Sequence, residues 1–156
     1  MTKMTKAYTL IVVETASGFL LINRAKPPYR GMWNALGGKI EADESPMMGA
    51  NRELMEESGL TDVALHDRGL IHWYVDGSLR GDLYLFTGQT DWSLPQPKQT
   101  REGILATVSR DWLLTDNLGV VPDLSAVLPT LLAGERHTYR SDFRGEHFER
   151  LVIEDD

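Results

Sequence analysis

Residues 38–60 read Gly38-Lys39-Ile40-Glu41-Ala42-Asp43-Glu44-Ser45-Pro46-Met47-Met48-Gly49-Ala50-Asn51-Arg52-Glu53-Leu54-Met55-Glu56-Glu57-Ser58-Gly59-Leu60, and the rest of the chain is read outward from them. Ser45-Pro46 opens a helix, because a serine hydroxyl caps orphan N–H groups and proline suits the first helical position. Met47, Ala50 and Leu54 recur at helical spacing, and Gly59 stands where a left-handed residue ends a helix. Six acids lie between Glu41 and Glu57, and Glu53, Glu56 and Glu57 fall at i, i+3 and i+4 on one helix face. Three like charges on one patch repel each other. A hard divalent cation relieves that repulsion, and an all-oxygen donor set points to Mg²⁺ or Mn²⁺ rather than zinc or copper. Met47, Ala50 and Leu54 would press the helix onto a sheet, and Arg52 would orient the carboxylates through Glu44 in the preceding loop. Taken alone, these residues are equally compatible with a solvated acidic helix face.

Upstream, the apolar, β-branched run Tyr8 to Val13 reads as a buried strand, and Ser17-Gly18 turns the chain into a second strand, Phe19 to Arg24. Ala25 to Gly38 holds two prolines and three glycines and reads as a loop, ending near an extended piece at Leu36 to Ile40. Downstream come strand-like runs at Val63 to Val75, bent near Gly69, at Gly81 to Thr87 and at Gly103 to Ser109. The segment Asp91 to Gln99 is the best loop candidate. Pro122 to Leu132 fits a second helix interrupted by Pro129, and Thr138 to Phe143 with Phe148 to Ile153 reads as a closing hairpin around Arg144-Gly145-Glu146. Two helices among about seven strands imply an α/β sandwich around a mixed sheet, in a single domain spanning residues 1–156.

With 16 basic and 23 acidic residues among 156, the net charge of −7 argues against DNA as a partner, since backbone binding needs a basic face. A small anionic ligand bridged by a cation is compatible with it. The absence of cysteine removes disulfides, thiolate nucleophiles and iron–sulfur clusters. The run Tyr8 to Val13 is too short for a signal core or a membrane span, so a cytoplasmic protein without membrane or nucleic-acid partners is expected. Nothing in the sequence sets an oligomeric state. A phosphate loop of the Walker type is excluded, because Ile40 follows Gly38-Lys39 where serine or threonine is needed. The four histidines show no ligand spacing, and Trp73 and Trp112 are expected in the core.

Gly38, Glu44, Arg52-Glu53-Leu54, Glu56-Glu57 and Gly59-Leu60 match the Nudix box at nine fixed positions, so the chain resembles a Nudix hydrolase. The resemblance implies an α/β/α sandwich and cleavage of a nucleoside diphosphate linked to another group. It further implies that Glu53, Glu56, Glu57 and the Gly37 carbonyl bind metal, with Glu102 completing the set, and that either Glu53 or Glu57 deprotonates the attacking water. Tyr8-Thr9-Leu10 and Arg30 to Lys39 are similar to the oxidised-purine nucleoside triphosphatases of the MutT type, the mammalian form above all. By that likeness Asn34 would read the purine edge and Thr9 and Arg24 would lie near the base and sugar-phosphate; Gly37, Gly38 and Lys39 are expected among the substrate-binding residues, the two glycines letting the backbone approach the ion closely. The pattern departs at Val120-Val121-Pro122-Asp123-Leu124: Asp123 keeps one of two acids, but Val121 stands where a stacking tryptophan is usual. The resemblance therefore favours hydrolysis of a nucleoside triphosphate such as an oxidised purine nucleotide. ADP-ribose, another nucleotide sugar or a dinucleotide polyphosphate is the alternative substrate, and a nucleotide-sensing domain without turnover is a third reading.

Overall fold

The computed structural model describes residues 6–155. Strand β1 (Lys6–Thr15) lies in the middle of the sheet, and its continuous apolar run follows from being covered on both faces. Leu10 and Val12 enter one core; Ile11 and Val13 enter the other. β2 (Gly18–Arg24) returns antiparallel to β1 and pairs on its far side with β7 (Gly103–Val108), while the short β3 (Trp33–Asn34) pairs with β2 on the β1 side, beyond the end of the β1–β2 ladder. On the opposite side of β1, β5 (Ser78–Gln89) runs parallel to it, followed by β4 (His66–Val75), β8 (His137–Arg144) and β9 (His147–Ile153). β6 (Lys98–Gln99) closes the β7 edge. The spatial order is β6-β7-β2-β1-β5-β4-β8-β9 with β3 on β2, a mixed sheet.

Helix α1 (Pro46–Ser58) covers one face and packs Ala50 and Leu54 against Ile11, Val13 and Leu20. Full burial of a leucine such as Leu54 stabilises the fold by about 2 kcal/mol. The Ser45 hydroxyl accepts from the Met48 N–H at 3.2 Å, and Gly59 ends the helix at φ 83°. Both helix limits expected from sequence are therefore observed. On the other face, the short α2 (Arg110–Leu113) and α3 (Pro122–Leu132) bury Leu113, Leu124, Val127, Leu128 and Leu131. The result is the expected α/β architecture, a mixed sheet between helical layers.

Several local expectations change. Leu36 to Ile40 forms only isolated bridges, Ile11 with Leu36 and Tyr8 with Lys39, because Gly37 at φ 140° breaks a regular ladder. The strand expected from Val63 begins at His66, and Val63 drops into the α1-side core. It does bend at Gly69, with a register shift between Asp67 and Leu70. α3 runs unbroken through Pro129. Trp112 lies 37% exposed on α2, and Trp73 lines a cleft. Among the described residues no helix is long and apolar enough to cross a membrane.

Candidate active site

The loop before α1 is shaped by two adjacent glycines. At Gly37, φ is 140°, and a Cβ would collide with the Thr9 carbonyl oxygen; only glycine fits such a backbone. The Gly37 N–H donates to Glu57 Oε1 at 2.9 Å. Gly38 is fastened to β1 on both sides, its N–H donating to Thr9 Oγ1 at 3.2 Å and its carbonyl accepting from the Thr9 N–H at 2.8 Å. A Cβ at Gly38 would stand 2.5 Å from Glu53 Oε1. That glycine leaves the space the Glu53 carboxylate occupies.

Arg52 ties the acids together. It grips Glu44 with two bonds, Nε to Oε2 at 2.6 Å and Nη2 to Oε1 at 2.9 Å, and reaches Glu53 at 3.0 Å, Glu56 at 3.3 Å and the Lys39 carbonyl at 3.1 Å. Glu44 in turn accepts from the Glu41 N–H at 2.9 Å. Its bonds to Arg52 hold the Glu44 carboxyl at about 2, well below the usual range. Lysine cannot reproduce this fork. Arg52→Lys is expected to lower kcat about 100-fold while the far-UV circular dichroism stays that of the wild type; turnover within a few-fold of wild type would show that Arg52 does not position the acids.

The three helix glutamates share a wall but not an environment. Glu57 is 6% exposed, at the end of the buried stripe that carries Ala50 and Leu54, whereas the Glu56 side chain is 43% exposed. Burial pushes the Glu57 carboxyl up to about 8, opposed by the Gly37 N–H and reinforced by the charges of Glu53, Glu102 and Glu56. Burial raises Glu53 as well, against the pull of Arg52. Glu102 approaches from the turn into β7, where its carbonyl accepts from the Ala25 N–H at 2.9 Å. Desolvated carboxyls held near one another fit a hard divalent cation in kind. Among the described residues, however, no three acidic or histidine side chains converge at ligand spacing, so these acids line a wall rather than a closed cage.

Two clefts meet at this wall. One of about 620 Å³ lies between Lys39, Glu53, Glu56 and Glu57 on one side and Lys98, Arg101 and Glu102 on the other. The second, about 600 Å³, runs on past Thr9, Asn34 and Val121 to Asp123. Tyr8, Arg24, Gly37, Gly38, Glu57 and Glu102 line both, so the clefts form one continuous groove. β3 is stitched to the start of α3 by Trp33 N–H to Gly119 O at 2.7 Å and Val121 N–H to Trp33 O at 2.9 Å, which brings Asn34 and Asp123 to one pocket. Asn34 Oδ1 accepts from the Ala35 N–H at 2.8 Å, leaving its amide N–H groups without a partner among the described residues. Asp123 sits in the first turn of α3, and burial raises its carboxyl despite the Leu124 N–H donated to it at 3.2 Å.

Every site residue singled out in the sequence borders this groove or the Arg52 network that supports it, though two have other attachments. The Thr9 hydroxyl holds Gly38, and Arg24 Nε donates to the Pro28 carbonyl at 2.8 Å. Sequence reasoning missed Tyr29, Trp73, Phe143 and Glu146 in the second cleft, and Lys98 and Arg101 in the first. For the last two a signal existed, since basic residues flank Glu102 within a few positions. The histidines lie outside the groove; His72 pairs with Asp82 at 2.6 Å, and His137 with Asp155 at 2.6 Å and Glu135 at 2.8 Å.

Residues 4–133 match the family model of the NUDIX domain. A mouse oxidized purine nucleoside triphosphate hydrolase is 40% identical over 73 residues, 47% of each chain. The chain thus spans about half the length of the curated relatives it matches. Among solved structures, a mutator MutT protein from Bacillus halodurans is similar at a TM-score of 0.76 and 24% identity, over 96% of this chain and 97% of that one. The NUDIX domain of Shewanella oneidensis NrtR, complexed with ADP ribose, is similar at 0.66 and 18% identity, over 84% and 90%.

Proposed function

Because the chain belongs to the Nudix family, we propose that it is a cation-dependent pyrophosphohydrolase that splits a nucleoside triphosphate into monophosphate and pyrophosphate. The observation that carries this reading is the continuous groove: a pocket with polar groups suited to a base at one end, four glutamates at the middle and basic side chains beyond them. Nudix hydrolases generally use divalent metal ions, and here Glu53, Glu56, Glu57, Glu102 and the Gly37 carbonyl would hold Mg²⁺, with Mn²⁺ as a substitute. When bound, such an ion supplies charge neutralisation at the phosphates and acidification of the attacking water.

The remaining work falls to the chain's own residues. Asn34 donates to the base from its free amide, and Asp123, its carboxyl raised by burial, offers oxygens to the base edge from the same pocket. Gly37 and Gly38 let the α-phosphate approach the backbone at the junction of the clefts. Arg52 keeps Glu53 and Glu56 aimed into the groove, and either Glu53 or Glu57 takes the proton from water. An oxidised purine is the base we favour, because an altered edge presents new donors and acceptors to that pair. The experiment is pyrophosphate release with Mg²⁺ from normal and oxidised nucleoside triphosphates, with ADP-ribose and diadenosine polyphosphates beside them. Turnover of the diphosphate-linked compounds alone would overturn the triphosphate reading.

Charge supports a triphosphate over a diphosphate-linked substrate. Arg24, Lys39, Lys98 and Arg101 line the groove, and none of them forms an ion pair with an acid among the described residues. The double variant Lys98→Ala, Arg101→Ala is expected to raise KM for the triphosphate about tenfold, with a shallower salt dependence and kcat much less affected. An unchanged KM would move the terminal phosphates away from the β6–β7 turn.

A further inference from the structure

Tyr29 has the least ordinary backbone in the groove. Its φ is 67°, in the left-handed region, and Asp76 in the β4–β5 turn is the other non-glycine residue with positive φ among the described residues. Aspartate tolerates that conformation; a tyrosine there is held by its surroundings. The fastening is visible on both sides: Arg24 Nε to Pro28 O at 2.8 Å, Met32 N–H to Tyr29 O at 3.0 Å and Gly31 N–H to Arg24 O at 2.7 Å. The fastened loop presents a half-buried ring to the same pocket as Asn34, Val121 and Asp123. The hydroxyl has no hydrogen-bond partner among the described residues, and the phenol, pushed up to about 12 by burial and then by Asp123 and Glu146, stays a donor at any working pH. Val121, across the start of α3, offers no aromatic surface. Phe143 is committed to an edge contact with Phe148 at 5.4 Å.

We propose that Tyr29 is a specificity-determining residue, its ring packing against the base of the nucleotide and its hydroxyl donating to an acceptor on the base edge. This rests on reading the groove as a nucleotide site. Backbone strain at a non-glycine residue marks places where the surroundings dictate a side chain's direction, and ligand clamps are among them. Tyr29 lies on the loop 25–32, which forms no hydrogen bond with Glu53, Glu56 or Glu57, so its contribution is the same before and during phosphate cleavage and should appear in binding rather than in turnover.

The test compares Tyr29→Asn and Tyr29→Phe with wild type. Asparagine accepts the left-handed backbone, so the loop is preserved while the ring is removed. Three quantities are measured: the Kd of dGMP and 8-oxo-dGMP by calorimetry, kcat at saturating triphosphate, and inhibition by inorganic tripolyphosphate, which has no base. Tyr29→Asn is expected to weaken the monophosphates about tenfold with kcat and tripolyphosphate inhibition unchanged. Tyr29→Phe is expected to restore most of the affinity while narrowing the difference between the two bases. Monophosphate binding by Tyr29→Asn equal to wild type would overturn the proposal, and so would an equal weakening of monophosphate and tripolyphosphate, which means a distorted loop. Wild-type binding of these nucleotides without hydrolysis overturns the hydrolase reading alone, with Tyr29 still judged by the Kd ratio; no binding at all overturns both.

Discussion

Glu57→Gln is expected to reduce turnover by on the order of 10³-fold, yet leave the metal-free protein at pH 8 at least as stable as wild type. The amide has almost the shape of the carboxyl, and its oxygen can still accept the Gly37 N–H that Glu57 Oε1 accepts at 2.9 Å. What disappears is a buried charge. In the folded chain the Glu57 carboxyl is raised from 4.5 to about 8, chiefly by burial. Between those values Glu57 binds more protons in the native state than in the unfolded state, so its contribution to wild-type stability is full below about pH 4.5 and declines as pH rises toward 8. Glutamine has no proton to lose, and its stability should run flatter across the same window. Mg²⁺ should raise the wild-type Tm more at pH 8 than at pH 5.5, because at low pH the ion competes with protons for the same oxygens. Thermal melts in chelator and in Mg²⁺ at the two pH values, alongside pyrophosphate release, measure all of this. Near-normal turnover by Glu57→Gln would remove Glu57 from the reaction, and a large loss of stability in chelator would mean that the carboxylate is stabilised by more than the Gly37 N–H.

The neighbouring glycines should fail in opposite ways when each is changed to alanine. At Gly37 the new Cβ meets the Thr9 carbonyl, which belongs to the central strand and cannot yield, and φ 140° is a conformation side chains avoid. Gly37→Ala is expected to cost about 2–4 kcal/mol of folding stability in urea titrations. At Gly38 the obstacle is the far end of a flexible side chain, Glu53 Oε1 at 2.5 Å. Gly38→Ala should therefore fold nearly as well as wild type while displacing the Glu53 carboxylate and losing about 100-fold in activity. Equal losses of stability at both positions would contradict this division between a glycine that the backbone needs and one that the chemistry needs.

The sequence was most readable where local chemistry and periodicity coincide. Ser45-Pro46 and Gly59 bracket α1 in the structure as they do in the text, and Tyr8 to Val13 announces a strand covered on both faces because every side chain in it is apolar or small. The short elements β3, β6 and α2 were not legible, since two-residue strands and a single helical turn exist only through their partners in space. The same holds in the groove. Glu53, Glu56 and Glu57 are three positions on one helix, whereas Tyr29, Asp123 and Glu146 reach the second cleft from three segments far apart in the chain. Burial also escapes the sequence: nothing in the spacing of the glutamates tells that Glu57 is enclosed while Glu56 is wet.

That difference in origin has an evolutionary corollary. The acidic wall is almost wholly contained in residues 37–57, so one contiguous segment of gene encodes it and a change within it risks the reaction itself. The far end of the second cleft is drawn from the 25–32 loop, the start of α3 and the tip of the β8–β9 hairpin, none of which hydrogen-bonds to the helix glutamates. Substitutions at Tyr29, Val121, Asp123 or Glu146 can then accumulate one at a time while turnover survives. A lineage carrying this scaffold can exchange one nucleotide for another through active intermediates, and a library restricted to those four positions is the corresponding starting point in the laboratory.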